Sequence, residues 1–461
     1  MSKRTSVIVD YTQGNIFRQM ITFAVPFMLS ALLQVAYSLV DSIVVGQYVG
    51  SAGLAGVNTS AQITSFTSWV VLAFASAGQV IISQRIGAKD MEGVRKTLGT
   101  LFTITILMAL ALMVVCLTLC NPLLRLLNTP EEAFGQARSY MLVCSLGFVF
   151  VCGYNAGTAI LRGSGDSKRP FIIIAVASVT NLVLDLLFVA VFNMEAAGAA
   201  WATVISQFIS MVLCVRIFYR NREDYHFTFT WKNFAIDPEA FSLLMRMGIP
   251  LALKSSAINI SNLFVNSFVN SYGVAASAAI AVGGKLQQLP SIITQGLYNA
   301  GTAMIGQNLG ARQYDRIRRI VRIMLYVCIV TFAVFSALIV LFPQLFFRIF
   351  TTDAEVLAYA KAFAWILVVN SVGSAIMCPY YSVVIGIGHA NFNLAISLLD
   401  GIVLRIGLSF LFGQALHMGV TGFYLGSCLA VLGTSIPSLI YYLTGRWQTY
   451  SIDKKKKTAA D

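Results

Sequence analysis

The charges of this chain are spaced so that they bound apolar stretches of about twenty residues or more containing none, and this limits the fold more than anything else in the sequence. Residues 19–40 run between Arg18 and Asp41, 97–124 between Lys96 and Arg125, and 139–161 between Arg138 and Arg162. Similar stretches cover 196–215, 255–284, 286–311 and 323–347, while 42–84, 362–399 and 406–445 are each long enough for more than one helix. About twenty apolar residues cross the hydrocarbon core of a bilayer, whereas the strands of an outer-membrane barrel alternate. The chain reads as an all-α polytopic membrane protein with twelve transmembrane helices. They are expected roughly at 16–44, 52–83, 97–119, 136–161, 171–192, 196–217, 240–268, 277–306, 320–342, 356–386, 392–412 and 418–443. With 11% charged residues against 57% hydrophobic, and about 25% charged in an ordinary soluble domain, a soluble enzyme, a disordered chain and a coiled coil are excluded.

The 32 Lys and Arg exceed the 19 Asp and Glu to give +13. They cluster in alternate loops: Lys3, Arg4 and Arg18; Arg85, Lys89, Arg95 and Lys96; Arg162, Lys168 and Arg169; Arg216, Arg220, Arg222 and Lys232; Arg312, Arg316, Arg318, Arg319 and Arg322; and Lys454 to Lys457. Asn193–Glu195 and Gly413–His417, on the other side, carry none. Basic loops face the cytosol, so both termini are expected there, in the cell membrane, and the basic excess needs no nucleic-acid partner. No cleavable signal peptide is expected, since the chain is polar up to Arg18 and the first apolar segment is too long. All eight cysteines fall in apolar segments without paired spacing and read as small packing residues.

The sequence repeats. Pro26 in "AVP" matches Pro250 in "GIP", 224 residues on; "QRIGAKD" at Gln84 matches "QNLGARQ" at Gln307, at 223; "LRGSGD" at Leu161 matches "VIGIGH" at Val384, at 223. Arg125 matches Arg348, and "MEAAG" at Met194 matches "MGVTG" at Met418. A near-constant offset over half the chain marks two repeats, and an even helix number gives both the same topology, as in parallel-repeat transporters. The expected organisation is an N-terminal six-helix bundle over 1–220, a cytosolic linker over 221–238, a C-terminal bundle over 239–445 and a basic tail over 446–461.

Ionisable groups in mid-bilayer cost about 2.5–3.5 kcal/mol each on insertion scales and mark function by default. The candidates are Asp41, Asp185, Lys254, Lys285, Asp400 and Arg405. Asp41 and Asp185 lie well past halfway along helices one and five, Asn181 is one turn before Asp185 on the same face, and Thr203 is about as deep in helix six. Two neighbouring buried acids do not both ionise cheaply, which is what a proton carrier exploits, and the same oxygens suit Na⁺. Interhelical hydrogen bonding is the structural alternative. At the matching positions of the second repeat, Asp41 becomes Val265 and Asp185 becomes Arg405 (taking a local offset of 220), so coupling is expected in the first half alone. Lys254, Lys285, Asp400 and Arg405 are left between charge neutralisation and substrate binding, and Lys254 could also snorkel to the cytosolic end. Gln34, Tyr37 and Asp41 share one helix face; with Asn155, Asn262, Gln287 and Gln288 they form the expected substrate cavity. Pro26 removes a backbone hydrogen bond within helix one and is the expected hinge.

The runs "PFMLSALLQVAYSLVDSIVVGQYVG", "QRIGA", "AGTAILRGSGDSKRP", and "NLVLDLLFV" followed by "GAAWATVISQ" resemble the multidrug and toxic compound extrusion (MATE) family over nearly the whole chain, closest to its prokaryotic, DNA-damage-inducible-protein-like branch. The resemblance implies a secondary active antiporter. It would exchange H⁺ or Na⁺ for small organic, often cationic, compounds by rocking-bundle alternating access, as a monomer and without a cofactor. It also implies that Asp41, Asn181, Asp185 and Thr203 form the N-lobe cation site. Some branches place coupling acids on helices seven and ten, where this chain has Lys254 and no acid between Lys361 and Asp400. The alternative is a lipid-linked saccharide flippase of the same superfamily, for which Lys254, Lys285 and Arg405 would meet pyrophosphate. No phosphate-binding G-x-x-x-x-G-K-[ST] loop exists to support ATP hydrolysis, and an enzyme is not expected.

Overall fold

The computed structural model describes residues 7–449; Lys3, Arg4 and the Lys454 to Lys457 tail lie outside the described residues. Among the described residues there is no strand. Ten helices among the described residues are long and apolar enough to cross a membrane, and Glu131–Leu146 with Phe148–Gly163, bent by 50°, makes an eleventh span. Val274–Gly310 is a further long helix of 37 residues, made more polar by Lys285, Gln287, Gln288, Gln295 and Asn299. In chain order the spans are α1 Ile16–Tyr48, α2 Gly50–Gly87, α3 Met91–Thr118, α4 Glu131–Leu146 plus Phe148–Gly163, α5 Lys168–Val191, α6 Glu195–Arg220, α7 Pro238–Asn270, α8 Val274–Gly310, α9 Tyr314–Leu341, α10 Ala360–Gly386, α11 Ala390–Ala415 and α12 Gly419–Leu443. The twelve helices of the sequence reading are all present, most of them a few residues longer than the apolar runs.

The backbone repeats with the sequence. Left-handed residues fall in pairs at Gly50 and Gly273, Lys89 and Arg312, Gly165 and Gly388, Asn193 and His417, and Glu195 and Gly419. Each pair is 223 or 224 residues apart, so the two halves turn their corners at equivalent points.

The chain folds as two compact units. One comprises residues 7–10 and Val25–Gly248; the other comprises Tyr11–Ala24 and the chain from Ile249 onward. The division therefore crosses α1 just before Pro26 and α7 just before Pro250, and residues 221–238 lie wholly in the first unit.

That segment is not a loose connector. Thr103 Oγ1 on α3 donates to the Phe234 carbonyl at 2.6 Å and Thr100 Oγ1 accepts from the Asp237 amide at 3.0 Å. A Cβ at Gly99 would lie 1.7 Å from the Asn233 carbonyl oxygen, so only glycine admits this contact. Rings of Phe227, Phe229 and Phe234 pack edge-on or tilted against one another. Asp237 Oδ1 accepts from the Ala240 amide and so caps α7, with Pro238 at its first position. Arg85 of the "QRIGA" loop donates to Glu239 at 2.8 Å and to the Gly93 carbonyl at 2.6 Å.

The second unit holds its own incoming segment in the same way. Gln307 of "QNLGA" accepts from the Tyr11 amide at 2.9 Å, and Asn308 donates to the Tyr11 carbonyl at 3.0 Å. Arg316 donates to the carbonyls of Tyr11, Gln13 and Gly14 and to Gln19 Oε1. The end of the second helix of each repeat thus grips the start of the first helix of the other repeat.

Candidate functional site

Acidic side chains in an apolar helix require a polar surrounding, and the first unit supplies one on α1, α4 and α5. Asp41 is half-buried, and Asp185 is buried at 1% exposure with Asn181 at 2%. Asp41 and Asp185 lie within electrostatic reach of each other, and Tyr37, one turn before Asp41, reaches both. Oδ1 of Asp41, Oδ1 of Asp185 and both amide atoms of Asn181 are buried without a hydrogen-bond partner among the described residues. Buried polar groups are paired in the great majority of cases, so four unpaired atoms on one α1–α5 seam are unusual. Carboxylate and amide oxygens are hard donors that fit H⁺ or a small alkali cation. Among the described residues no group of three or more His, Cys, Asp or Glu could hold a metal ion.

The surrounding packing places this layer. Val44 and Val45, just past Asp41, share a buried cluster with Val57 of α2, Tyr140 and Cys144 of α4, Val189 of α5 and Ala196, Ala199 and Ala200 of α6. The α-helix of α5 ends at Asp185, and Leu186–Val191 continues as a π-helix. Such wide turns recur at functional sites because they redirect a side chain within a continuous helix. Thr203 is half-buried on α6, the helix packed against α5, with its carbonyl accepting Ser206 Oγ.

Sequence reading missed three polar members of this region. Tyr140 and Cys144, a turn apart on α4, lie within reach of Asp41 and Tyr37. Gln207, one turn after Thr203 on α6, has a buried Oε1 without a hydrogen-bond partner among the described residues. Tyr37, expected from the helix face on the substrate wall with Asp41, lies within electrostatic reach of both acids.

The remaining expected wall residues divide between the units: Gln34 and Asn155 in the first, and Asn262, Gln287 and Gln288 in the second. Gln34, Asn262 and Gln288 are exposed, and Asn155 and Gln287 half-buried. Pro26 lies inside continuous α1, and Ser30 Oγ donates to its carbonyl.

The other intramembrane charges assemble within the second unit. Arg405 donates to Asp400 Oδ1 at 3.1 Å, and Thr434 Oγ1 donates to Asp400 Oδ2 at 2.8 Å. Lys254 does not snorkel: its Nζ is 2.5 Å from Tyr381 OH and 3.9 Å above that ring, and Tyr381 OH donates to Asn393 Oδ1 at 2.6 Å. Lys285 is exposed, 5.4 Å from the Phe350 ring.

The structure also corrects the repeat register at this depth. Gly198 lets Phe188 approach in the first unit, and Gly422 lets Phe412 approach in the second; both pairs differ by 224. The left-handed pair Asn193 and His417 gives the same offset. Asp185 is therefore matched by Ser409, and Arg405 by contrast matches Asn181, one turn from the pairing expected at an offset of 220. Asp41 is still matched by Val265, and Thr203 by Ser427.

Comparisons with known proteins reproduce the repeat spacing and the fold. The MatE family profile matches twice, over residues 26–187 and 250–411, again 224 apart. The probable multidrug resistance protein YpnP of Bacillus subtilis is 31% identical, over 97% of this chain and 99% of its own length. The probable multidrug resistance protein NorM of Thermotoga maritima is 24% identical over 95% and 94%. Among solved structures, an outward-facing multidrug resistance MATE family transporter of the MOP superfamily superposes with a TM-score of 0.88, at 21% identity over 97% of this chain and 100% of that one. A MATE in the bent conformation gives 0.86, at 22% identity over 98% of each chain.

Proposed function

The chain belongs to the MatE family, a transporter rather than an enzyme, and on that premise we propose that it is a secondary active antiporter exporting small organic compounds in exchange for H⁺ or Na⁺ across the cell membrane, with both termini cytosolic. The observation that carries the reading is the acid layer of the first unit, where buried oxygens of Asp41, Asp185 and Asn181 lack hydrogen-bond partners among the described residues. Loading this layer with a proton or a cation neutralises charge that is costly in a membrane, so the loaded and unloaded layers differ in the packing they favour. Tyr37, Thr203 and Gln207 complete the polar lining. The curated relatives are named multidrug resistance proteins, which supports organic compounds as cargo.

Pro26 supplies the flexible point between loading and export. Its missing N–H leaves a gap in the α1 hydrogen-bond ladder, fifteen residues from Asp41. We infer that a neutral Asp41 favours a bent α1, reducing the volume available to cargo; one solved relative is described as bent. The test is efflux from energised vesicles, comparing wild type with Asp41→Asn while pH and Na⁺ are varied separately. Gradient-driven export should be lost in the variant. Export at the wild-type rate, or export by wild type without either gradient, would overturn the coupling assignment.

A further inference from the structure

The second unit repeats the framework of the acid layer with the opposite charge. In the corrected register Asp41 is replaced by Val265, Asn181 by Arg405, Asp185 by Ser409 and Thr203 by Ser427. Two carboxylates are lost and a guanidinium is gained. Val265 lies in an apolar wall with Val269, Phe268 and Phe423. Arg405 NH1 approaches Ser427 Oγ at 3.4 Å and Asn262 Oδ1 at 3.5 Å, and NH2 contacts Asp400 at 3.1 Å. The Arg405 side chain keeps 16% exposure.

Charge and donors are both in excess here. Asp400 offsets one of the two cations, Lys254 and Arg405, which lie within electrostatic reach of it and of each other. Both oxygens of Asp400 are already engaged, by Arg405 and Thr434. Of the five guanidinium donors, Nε is buried without a partner among the described residues, and the two NH1 contacts are at the long limit of a hydrogen bond. Lys254 makes one hydrogen bond, to Tyr381, of the three its ammonium offers. An uncompensated cation and unfilled donors in an apolar span are costly unless an anion completes them. The surplus is one positive charge, which matches a monoanion, and a planar fork favours a carboxylate.

We propose that Arg405, with Ser427, Asn262 and Lys254, forms a charge-inverted counterpart of the acid layer that binds the carboxylate of an apolar organic compound carried by this transporter. Naming the compound as cargo rests on the transport reading above; the binding does not. The chain then accepts acidic or amphoteric compounds as well as cationic ones, with the coupling ion in the first unit and the carboxylate in the second.

Binding to the full-length protein in lipid-free detergent, measured by calorimetry with 1-naphthoate and the uncharged 1-naphthamide, tests this directly. Wild type should prefer the carboxylate by about tenfold or more, the worth of a charge-assisted hydrogen bond. The preference should disappear in Lys254→Met, which removes the surplus charge, and in the double variant Asp400→Asn with Arg405→Gln, which keeps the net charge but removes the guanidinium fork that would hold the carboxylate. No preference in wild type, or a preference that survives both variants, overturns the site. Binding of phosphatidylglycerol that naphthoate does not displace would also overturn it, since the cations would then hold a lipid headgroup. Asp41→Asn should still prefer naphthoate, so failure of the coupling assignment and failure of this site give different results.

Discussion

Replacing Asp400 with Asn strands Arg405, and the cost can be worked from the contacts. The two side chains are 7% and 16% exposed and 3.1 Å apart. At an effective dielectric constant of about 20 their attraction is roughly 5 kcal/mol before desolvation. Removing one partner from a buried pair costs about 3–5 kcal/mol, because the other charge remains buried. Thr434, 2.8 Å from Oδ2, loses a charged acceptor; such bonds inside membranes average about 0.6 kcal/mol and reach about 1.7. Asn keeps one acceptor oxygen, so the single variant should lose about 3 kcal/mol. The double variant Asp400→Asn with Arg405→Gln removes the stranded charge and should lie within about 1.5 kcal/mol of wild type. The chain has five tryptophans; replacing Trp69, Trp201 and Trp231 with Phe leaves Trp365 and Trp447 to report on the second unit. Unfolding in sodium dodecyl sulfate, followed by their fluorescence, then compares the variants. A single variant as stable as the double one would refute the claim that the pair neutralises a buried cation.

Three other substitutions test features of the fold. Pro26→Ala restores a backbone donor to α1 and removes a helix-interior penalty of about 3 kcal/mol; gradient-driven efflux should slow by at least about tenfold, and an unchanged rate would dismiss the hinge. Gly99→Val places a side chain against the Asn233 carbonyl, displacing the 231–237 segment and losing the Thr103 and Thr100 bonds at about 0.5–1.5 kcal/mol each; trypsin should then cut at Lys232 faster, and equal cutting would show that the segment tolerates the side chain. Arg316→Gln removes four contacts to residues 11–19; amide hydrogen exchange there should rise while α5 is unaffected, and unchanged protection would mean that Gln307 and Asn308 hold the segment alone.

The spans were legible because a bilayer penalises charge so strongly that Arg18, Lys96, Arg125 and Arg162 fall close to where apolar runs end. Asp41 and Asp185 stood out for the same reason. Tyr140 and Cys144 carry no charge, and spacing along the chain does not reveal that α4 packs them near Asp41 and Tyr37; Gln207 is likewise an uncharged residue that spacing does not single out. The slip that paired Asp185 with Arg405 arose where the repeats share almost no residues. Asn193 and His417 were available as markers, but their common left-handed backbone is not written in their side chains. Residues 221–238 read as a polar linker because much of what attaches them, including Gly99, Thr100 and Thr103 of α3 and Ser164, is small and uncharged.

The exchange of helix starts has a consequence for how such a chain arose. Residues 11–24 fold with the second repeat, and the first turns of α7 fold with the first. A shorter ancestor encoding one repeat would have had no partner within its own chain for its leading segment. Two copies exchanging those segments would satisfy each other, which is the arrangement this single polypeptide makes within its own chain.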